Sequence, residues 1–568
     1  MVVRVKKRIP YGIGNFETVR KENLYYVDKT RIIKELENHQ YPFFIRPRRF
    51  GKSLLISILE NYYDIERKEA FDDLFSGLWI HENPTAERNA YLVLRLDFSG
   101  IETDKGKDEL FNSFLWKVKM KAREFINRYD AYCVQGSAQV IENAESPSAV
   151  IDSLCTLLKE KQIYLLIDEY DNFANDLIGA NDDTLYYDIL SKTGFVRTFY
   201  EAIKSGAQEG AISRIFMTGV SPIMLDDLTS GFNIAKNITL ERAYNQSLGF
   251  TEGEVGEMLD YYNILPEEIK RKTLEDMKRY YNGYLFHPEG KERLYNPDMV
   301  LHFMDSFKEG RYPDSMVDMN VKTDYSKIQR LINEDRLQED SKIEQILEKE
   351  EIITKLIDMF PLEALTNKEE LISLMFYMGM LTIDEPILAN VKLRVPNLVI
   401  KEIYWQYIYQ KVNRILGDTV DIYSITKVTQ KLAETGNPKA FIEYAYDKVI
   451  QYISNRDLIK MEEKHIKMIF LSFLSMNEIY IPYSELELNK GYSDIVLVPD
   501  TRYNVKNAQI WELKYIKEGE RPDMKIKEAE EQIKRYEQDI KFQRLTQGTS
   551  VYKYIILACK DRVEIVEQ

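Results

Sequence analysis

The sequence predicts an α/β chain of several domains, with a parallel-sheet unit first, a helical lid and middle region next, and a second α/β unit last. Three observations predict it. Over residues 1–250, continuous apolar runs alternate with helical patterns, as in a parallel sheet covered on both faces. The stretch RPRRFGKS (46–53) follows the apolar run YPFFI and opens a helix. Beyond residue 451, one strand pattern starts near Asp494 and the next carries Glu512-Leu513-Lys514.

Composition sets the frame. A chain of 568 residues with 44% hydrophobic and 30% charged residues has room for about three or four globular domains. The net charge of −15 argues against a generally basic, nucleic-acid-coating surface, but leaves room for a local groove. Three distant cysteines and five scattered histidines offer neither zinc spacing nor a disulfide framework, which fits a reducing cytoplasm. No apolar run approaches the roughly 20 residues of a membrane span. The basic start MVVRVKKRIP has no apolar stretch behind it, so no signal peptide is expected.

In the first unit, YPFFI (41–45), YLVLRLDFS (91–99), IYLLIDEYD (163–171) and RIFMTGVS (214–221) read as strands, with NITLE (237–241) as a fifth. Helices are expected from Lys52 to about Tyr63, over 107–128 and near 193–205. The tripeptide Gly51-Lys52-Ser53 stands where phosphate binding demands it, after a strand and at a helix start. Backbone N–H groups there meet phosphate oxygens. Lys52 is expected on the β- and γ-phosphates and the Ser53 hydroxyl on Mg²⁺. Gly51 lets the backbone approach closely. Asp168, ending the third strand, is placed to hold Mg²⁺, directly or through water, and Glu169 to polarise the attacking water. Thr218 ends the next strand, where such ATPases keep a polar sensor; taken alone it is a plain turn residue. Pro47 fixes φ near −65°, so the loop entrance departs from the usual glycine. Arg46, Arg48 and Arg49 either contact phosphates or are solvated or paired with local carboxylates. Asp28 is a helix-cap candidate. Asp97 ends the second strand beside the expected site, as polar lining or catalytic support.

The segments YGIGNFETVRKENLYYVDKT, FFIRPRRFGKSLLISILENYYD, IYLLIDEYDNF and RIFMTGVSP resemble the bacterial AAA-ATPase-like family, from about residue 8 to 300 and including YNGYLF and LYNPDMVLHFM. In that family the phosphate loop commonly reads RPRRFGKS. The resemblance implies a P-loop NTPase domain over 1–250 with ATP as ligand. Its nucleotide contacts would be Arg48, Arg49, Phe50, Gly51, Lys52, Ser53, Leu54, Asp168 and Thr218.

Residues 251–315 read as a helical lid, opened by a capping-box spacing from Thr251 to Glu254. Residues 316–450 read as a mainly helical middle region. Within it ELISLMFYMGML (370–381) is a helix and LTIDEPILANVKLRVPN (381–397) a hairpin, followed by another helix. That order is winged-helix-like; such a module touches DNA or packs on the ATPase, and packing is the expectation.

Residues 451–568 carry a helix (461–477), strands at 479–491, 493–500 and 507–516, a helix at 527–540 and a strand at 552–559. Glu512 and Lys514, two apart in a strand, share a face. If their strand pairs with that of Asp494, the three groups converge. Asp494 and Glu512 would then hold Mg²⁺ or Mn²⁺ with the Leu513 carbonyl, and Lys514 would orient the attacking water. This ordered set resembles the PD-(D/E)XK nuclease fold, with Ser493-Asp494 where the family often has Pro-Asp. The resemblance implies a further helix glutamate, with Glu463 fitting and Glu462 and Glu487 as alternatives. It also implies an auxiliary polar residue, for which Gln532 stands.

The combined expectation is an ATP-binding and ATP-hydrolysing module linked to a Mg²⁺-dependent nuclease acting on DNA. A role in bacterial defence or mobile-element biology is what the resemblance suggests. The alternative is a nucleotide-controlled assembly switch with an inactive or nucleic-acid-binding nuclease fold. A homo-oligomer or a protein partner fits either.

Overall fold

The structure is a computed structural model that describes residues 6–228, 231–262, 265–307, 310–323, 346, 350–415, 420–450, 463–488, 491–500, 502–517, 520–559 and 562–568. The chain divides into two compact units. One comprises Met1–Asp340 and Ile352–Val399, the other Ser341–Glu351 and Ile400–Gln568.

The first unit is built on five strands, β1 (Pro42–Ile45), β2 (Leu92–Asp97), β3 (Ile163–Asp168), β4 (Ile212–Gly219) and β5 (Lys236–Asn237). They pair in the order β2-β3-β4-β1-β5, all parallel. Every residue of β1 and β3 is buried, as a sheet with both faces covered requires. Helices Lys52–Tyr63, Lys107–Arg128, Pro147–Leu157 and Phe195–Gln208 belong to this unit. Because β4 lies between β1 and β3, the loop after β1, the acidic end of β3 and the end of β4 come together at one edge. That edge is where open α/β sheets bind ligands.

The lid region forms two helices, Glu252–Tyr262 and Glu267–Tyr281. Its capping box is reciprocal: the Thr251 N–H donates to Glu254 Oε2 at 2.7 Å, and the Glu254 N–H donates to Thr251 Oγ1 at 3.3 Å. Further on, helix Lys368–Tyr377 precedes a hairpin of β7 (Thr382–Ile387) and β8 (Asn390–Arg394). A short strand, β6 (Glu351–Thr354), joins it in the order β6-β8-β7. The hairpin packs within the first unit. Leu285 N–H donates to Thr382 Oγ1 at 2.8 Å, and Arg293 donates to the Ile383 carbonyl at 2.8 Å and to Asp384 at 3.0 Å.

The second unit carries β9 (Tyr480–Leu488), β10 (Gly491–Pro499), β11 (Asn507–Tyr515), β12 (Ser550–Ala558) and β13 (Val563–Glu567), ordered β13-β12-β11-β10-β9. β9, β10 and β11 are antiparallel neighbours; β11 and β12 run parallel, joined by a crossover that includes helix Pro522–Glu537. β13, antiparallel to β12, was not anticipated from the sequence. The compact unit also reaches further back than residue 451. In the helical segment before it, Gly436 accepts from Gln509 Nε2 at 3.1 Å, and the Phe441 ring lies 5.7 Å from Trp511. The middle region is therefore shared between the two units rather than standing as one body.

Candidate functional site

Two clusters of functional side chains lie in different units. The first surrounds a cavity of about 370 Å³, within the range of nucleotide-sized pockets. Its lining includes the polar Arg48, Arg49, Lys52, Ser53 and Glu169 and the apolar Ile13, Val27, Ile58, Leu248, Met258 and Leu301. Phe50, Gly51 and Leu54 contribute as well.

The loop after β1 owes its shape to two left-handed residues, Gly51 at φ +91° and Arg49 at φ +68°. The second is uncommon for a residue with a Cβ. Lys52 is buried, and its ammonium donates to the carbonyls of Arg46 at 2.9 Å and Pro47 at 3.0 Å. Burial pushes it down to about 8, against the pull of Glu169, Asp168 and Asp171. Ser53 lies one residue into the helix. Burial raises the Asp168 carboxyl, the neighbouring Ser53 hydroxyl lowers it, and Asp97, its register partner on β2, raises it again. Glu169 follows in left-handed backbone at φ +50°, and burial raises its carboxyl too.

Arg46 serves the core instead of phosphate. It is fully buried and donates to the carbonyls of Ile45 at 2.9 Å, Thr239 at 3.0 Å and Tyr244 at 2.7 Å. Its guanidinium lies 4.1 Å from the Phe44 ring centroid and 4.0 Å from that of Phe286. Thr218 likewise turns inward. Its hydroxyl donates to the Phe44 carbonyl at 2.7 Å and ties β4 to β1, while Gly219 and Val220 beyond it line the cavity. The hydroxyl expected to act as a sensor thus has its proton engaged within the sheet. Asp28 caps, accepting from Thr30 N–H at 2.8 Å and Trp79 N–H at 2.6 Å. Arg49 lies 3.7 Å from Asp298.

The second cluster sits where β10 and β11 meet. Their register runs from Leu497↔Gln509 to Ile495↔Trp511, and beyond it side chains join the strands. Asp494 Oδ2 accepts from the Leu513 N–H at 2.9 Å, and Glu512 Oε2 accepts from the Asp494 N–H at 3.4 Å. The remaining oxygens face ammonium groups. Glu512 Oε1 is 3.9 Å from Lys514, and Asp494 Oδ1 is 4.0 Å from Lys467. Burial, then the neighbouring Asp494, holds the Glu512 carboxyl well above the usual range. Glu463 starts helix Glu463–Leu474 and accepts from the Tyr515 N–H at 3.3 Å; burial and then Asp494 raise it.

Residues 10–229 match the family described as "Predicted AAA-ATPase", and residues 461–568 match the PD-(D/E)XK nuclease superfamily. The chain carries one domain of each kind. A curated relative, an uncharacterized protein in the vnfD 5′ region of Azotobacter chroococcum mcd 1, is 26% identical over 309 residues. That match covers 52% of this chain, and the chain spans about half the length of that relative (52%). Among solved structures, the Walker-type ATPase PABY2304 of Pyrococcus abyssi aligns at 12% identity and a TM-score of 0.37, covering 71% of this chain and 99% of that one.

In the AAA-ATPase domain the structure brings Lys52, Ser53, Asp168 and Glu169 together at one strand edge. In the nuclease-superfamily domain it brings Asp494, Glu512 and Lys514 together, with Glu463 close by. Among the described residues, no three acidic, histidine or cysteine side chains gather as a ready-made metal cage. The Asp494–Glu512 pair nevertheless fits a hard divalent ion of the Mg²⁺ type, which is commonly held by one or two carboxylates with waters filling the rest. Glu462 lies outside the described residues, as does the side chain of Glu487. Gln532 lies on helix Pro522–Glu537 with a buried Oε1.

Sequence reasoning missed two residues. Asp171 is buried and accepts from the N–H groups of Val220 at 3.0 Å and Ser221 at 2.6 Å, and from Asn175 at 2.9 Å. It thereby fixes the loop after β4 against the acidic end of β3. A Cβ on Gly219 would meet Asp171 Oδ1 at 2.3 Å, so only glycine fits there. Lys467 is the other. A lone cation within IKMIFLSFL, four residues after Glu463, was the signal available for it.

Proposed function

We propose that the first unit binds and hydrolyses ATP with Mg²⁺, and that the second cleaves DNA phosphodiesters with a divalent ion. The observation that carries the ATPase reading is the convergence of Lys52, Ser53 and Glu169 on one cavity at the end of β3, where Asp168 is buried. It sets the hydroxyl after the phosphate-loop lysine at the same strand edge as the carboxylate of the acidic strand, the pair that Mg²⁺ binding requires. Lys52 would exchange the carbonyls of Arg46 and Pro47 for phosphate oxygens, whose negative charge favours the ammonium form that burial disfavours. Glu169 would orient the attacking water and take its proton as the oxygen bonds to the γ-phosphorus and ADP departs. The apolar part of the cavity would receive the base.

In the second unit, Asp494 and Glu512 would hold the ion, which supplies charge neutralisation at the scissile phosphate. Lys514 would orient the water whose oxygen bonds to phosphorus as the phosphodiester oxygen leaves, the water's proton passing to solvent and the leaving oxygen taking one up from it. The closeness of two buried acids supports this: Glu512 Oε2 reaches the Asp494 N–H, and burial, then Asp494, raises Glu512, which a cation would relieve.

The test is an assay of the purified chain with Mg²⁺ or Mn²⁺ on single- and double-stranded DNA and RNA, with and without ATP. DNA cleavage lost in Asp494→Ala and phosphate release lost in Lys52→Ala are expected. Nucleotide binding without turnover, with no cleavage of any substrate, overturns the reading in favour of a nucleotide-controlled switch.

A further inference from the structure

Resting on the nucleotide reading of the first unit's cavity, we infer that the ion pair of Lys29 with Glu254 sets the affinity of that site for the nucleoside, independently of the phosphates. Lys29 lines the cavity, and its ammonium donates to both oxygens of the Glu254 carboxylate, at 2.7 and 2.8 Å. The two side chains are only 16% and 24% exposed, so water and salt screen the pair far less than a surface one. Glu254 is held on a second side as well. Its Oε2 accepts from the Thr251 N–H at 2.7 Å, closing the cap of helix Glu252–Tyr262. The acid therefore meets Lys29 from a fixed position on the helix start.

The pair joins two stretches of cavity lining that are remote in the chain. Tyr25 and Val27 stand just before Lys29. Phe250 stands just before the helix of Glu254, and Met258 lies on that helix one turn past Glu254. The Tyr25 ring lies 5.1 and 5.4 Å from those of Tyr261 and Tyr262 at the helix end. The first stretch is thus fastened to the helix at both ends, by charge at its start and by rings at its finish. Apolar and aromatic side chains of this kind are what a flat base rests on. Dispersion rewards them only at contact, and a gap of about 0.5–1 Å forfeits roughly a quarter to a half of it. A held spacing therefore favours the base. It does nothing for the phosphates, whose partners are charges and the loop's N–H groups. Lys29 and Glu254 are positioning residues that act through the stretches they join.

Calorimetric titration of the full chain with Mg²⁺ and either the β,γ-imido analogue of ATP or inorganic tripolyphosphate tests this. Lys29→Met keeps the stem and loses the charge. Glu254→Gln also loses the charge but keeps the cap, which glutamine makes equally well. Each is expected to weaken the analogue by about fivefold or more and tripolyphosphate by less than about twofold, with the double variant no worse than either single one. If the Met variant does not fold, Lys29→Gln makes the same comparison. A phosphate-binding Lys29 predicts opposite signs: its loss would weaken tripolyphosphate and the loss of Glu254 would strengthen it. That result overturns the inference. So does a lower urea midpoint with both affinities unmoved, which would leave the pair a brace of the fold alone. If wild type binds tripolyphosphate as tightly as the analogue, the inference falls and the phosphate site stands. If wild type binds neither, the nucleotide reading itself falls and the inference with it.

Discussion

The two sites bury the same kinds of group and leave opposite charges unsatisfied. In the AAA-ATPase domain a buried ammonium rests on two carbonyl oxygens, and burial drags Lys52 down to about 8. In the nuclease-superfamily domain two buried acids are neighbours, and burial, then Asp494, drives Glu512 up. The first pocket gains from an anion and the second from a cation. Desolvation acts on both; the sign of the group it acts on decides which ligand relieves it.

The sharpest way to break this contrast is to remove one charge from each side and look for crossed effects. Asp494→Ala should lower DNA cleavage on the order of 10³-fold, the several kcal/mol of charge stabilisation an ion supplies, and leave ATP binding unchanged by fluorescent-nucleotide titration. Lys52→Ala should do the reverse in the binding assay. Next in size is Glu169→Gln, expected to reduce phosphate release by roughly 10²-fold or more while nucleotide affinity stays within a few-fold. A matching loss of affinity would move Glu169 from the chemistry to binding.

Stability effects come next. Arg46→Ala leaves three buried carbonyls without their donor and should destabilise the first unit by about 3 kcal/mol, read as a lower midpoint in urea. Gly219→Ala, which pushes a methyl onto Asp171, should cost about 1–3 kcal/mol. Neither change should move the ion affinity of the second unit.

The smallest effects are protonic, and their signs are opposite. Above pH 8, ATP binding should take up protons as Lys52 regains its charge. Ion binding at Asp494 and Glu512 should release them. Calorimetry in two buffers of different ionisation enthalpy reads both. The same signs govern stability. Between about 8 and 10.5 the unfolded chain keeps a proton that native Lys52 has lost, so this group makes stability rise with pH. Above 4.5, native Glu512 keeps a proton the unfolded chain has lost, so its contribution falls as pH rises.

What was legible in the sequence was what neighbours in the chain determine. Strand ends, the helix start at Lys52 and the reciprocal cap at Thr251 and Glu254 follow from local pattern. So does the pairing of Asp494 with Glu512, once two short strands are recognised. Arg46 was not legible, because a long side chain beside a phosphate loop can turn either way. Its partners, Thr239, Tyr244 and Phe286, are remote in sequence. The setting of Thr218 was hidden for a similar reason: only a neighbouring strand reveals that its hydroxyl donates to the Phe44 carbonyl. Asp171 was hidden by the more conspicuous Asp168-Glu169 pair. Only the fold shows that Gly219 must be small for it. Lys467 was in plain view but read as part of an amphipathic helix.

The phosphate loop and the chain's first segment are fastened by different means around the first unit's cavity. Arg46 is stapled between two rings, and Phe50 lies edge-on to Tyr284 and Phe286, 4.9 and 5.5 Å away. The lining also includes Gly12, Ile13, Gly14 and Tyr25, a segment held by the Tyr11–Asp318, Lys7–Tyr261 and Tyr262–Lys7 hydrogen bonds at 2.5, 3.0 and 2.8 Å and by Tyr25 against the rings of Tyr261 and Tyr262. Rings thus clamp the loop on one flank, while hydrogen bonds to distant parts of the chain tether the segment that precedes the first helix.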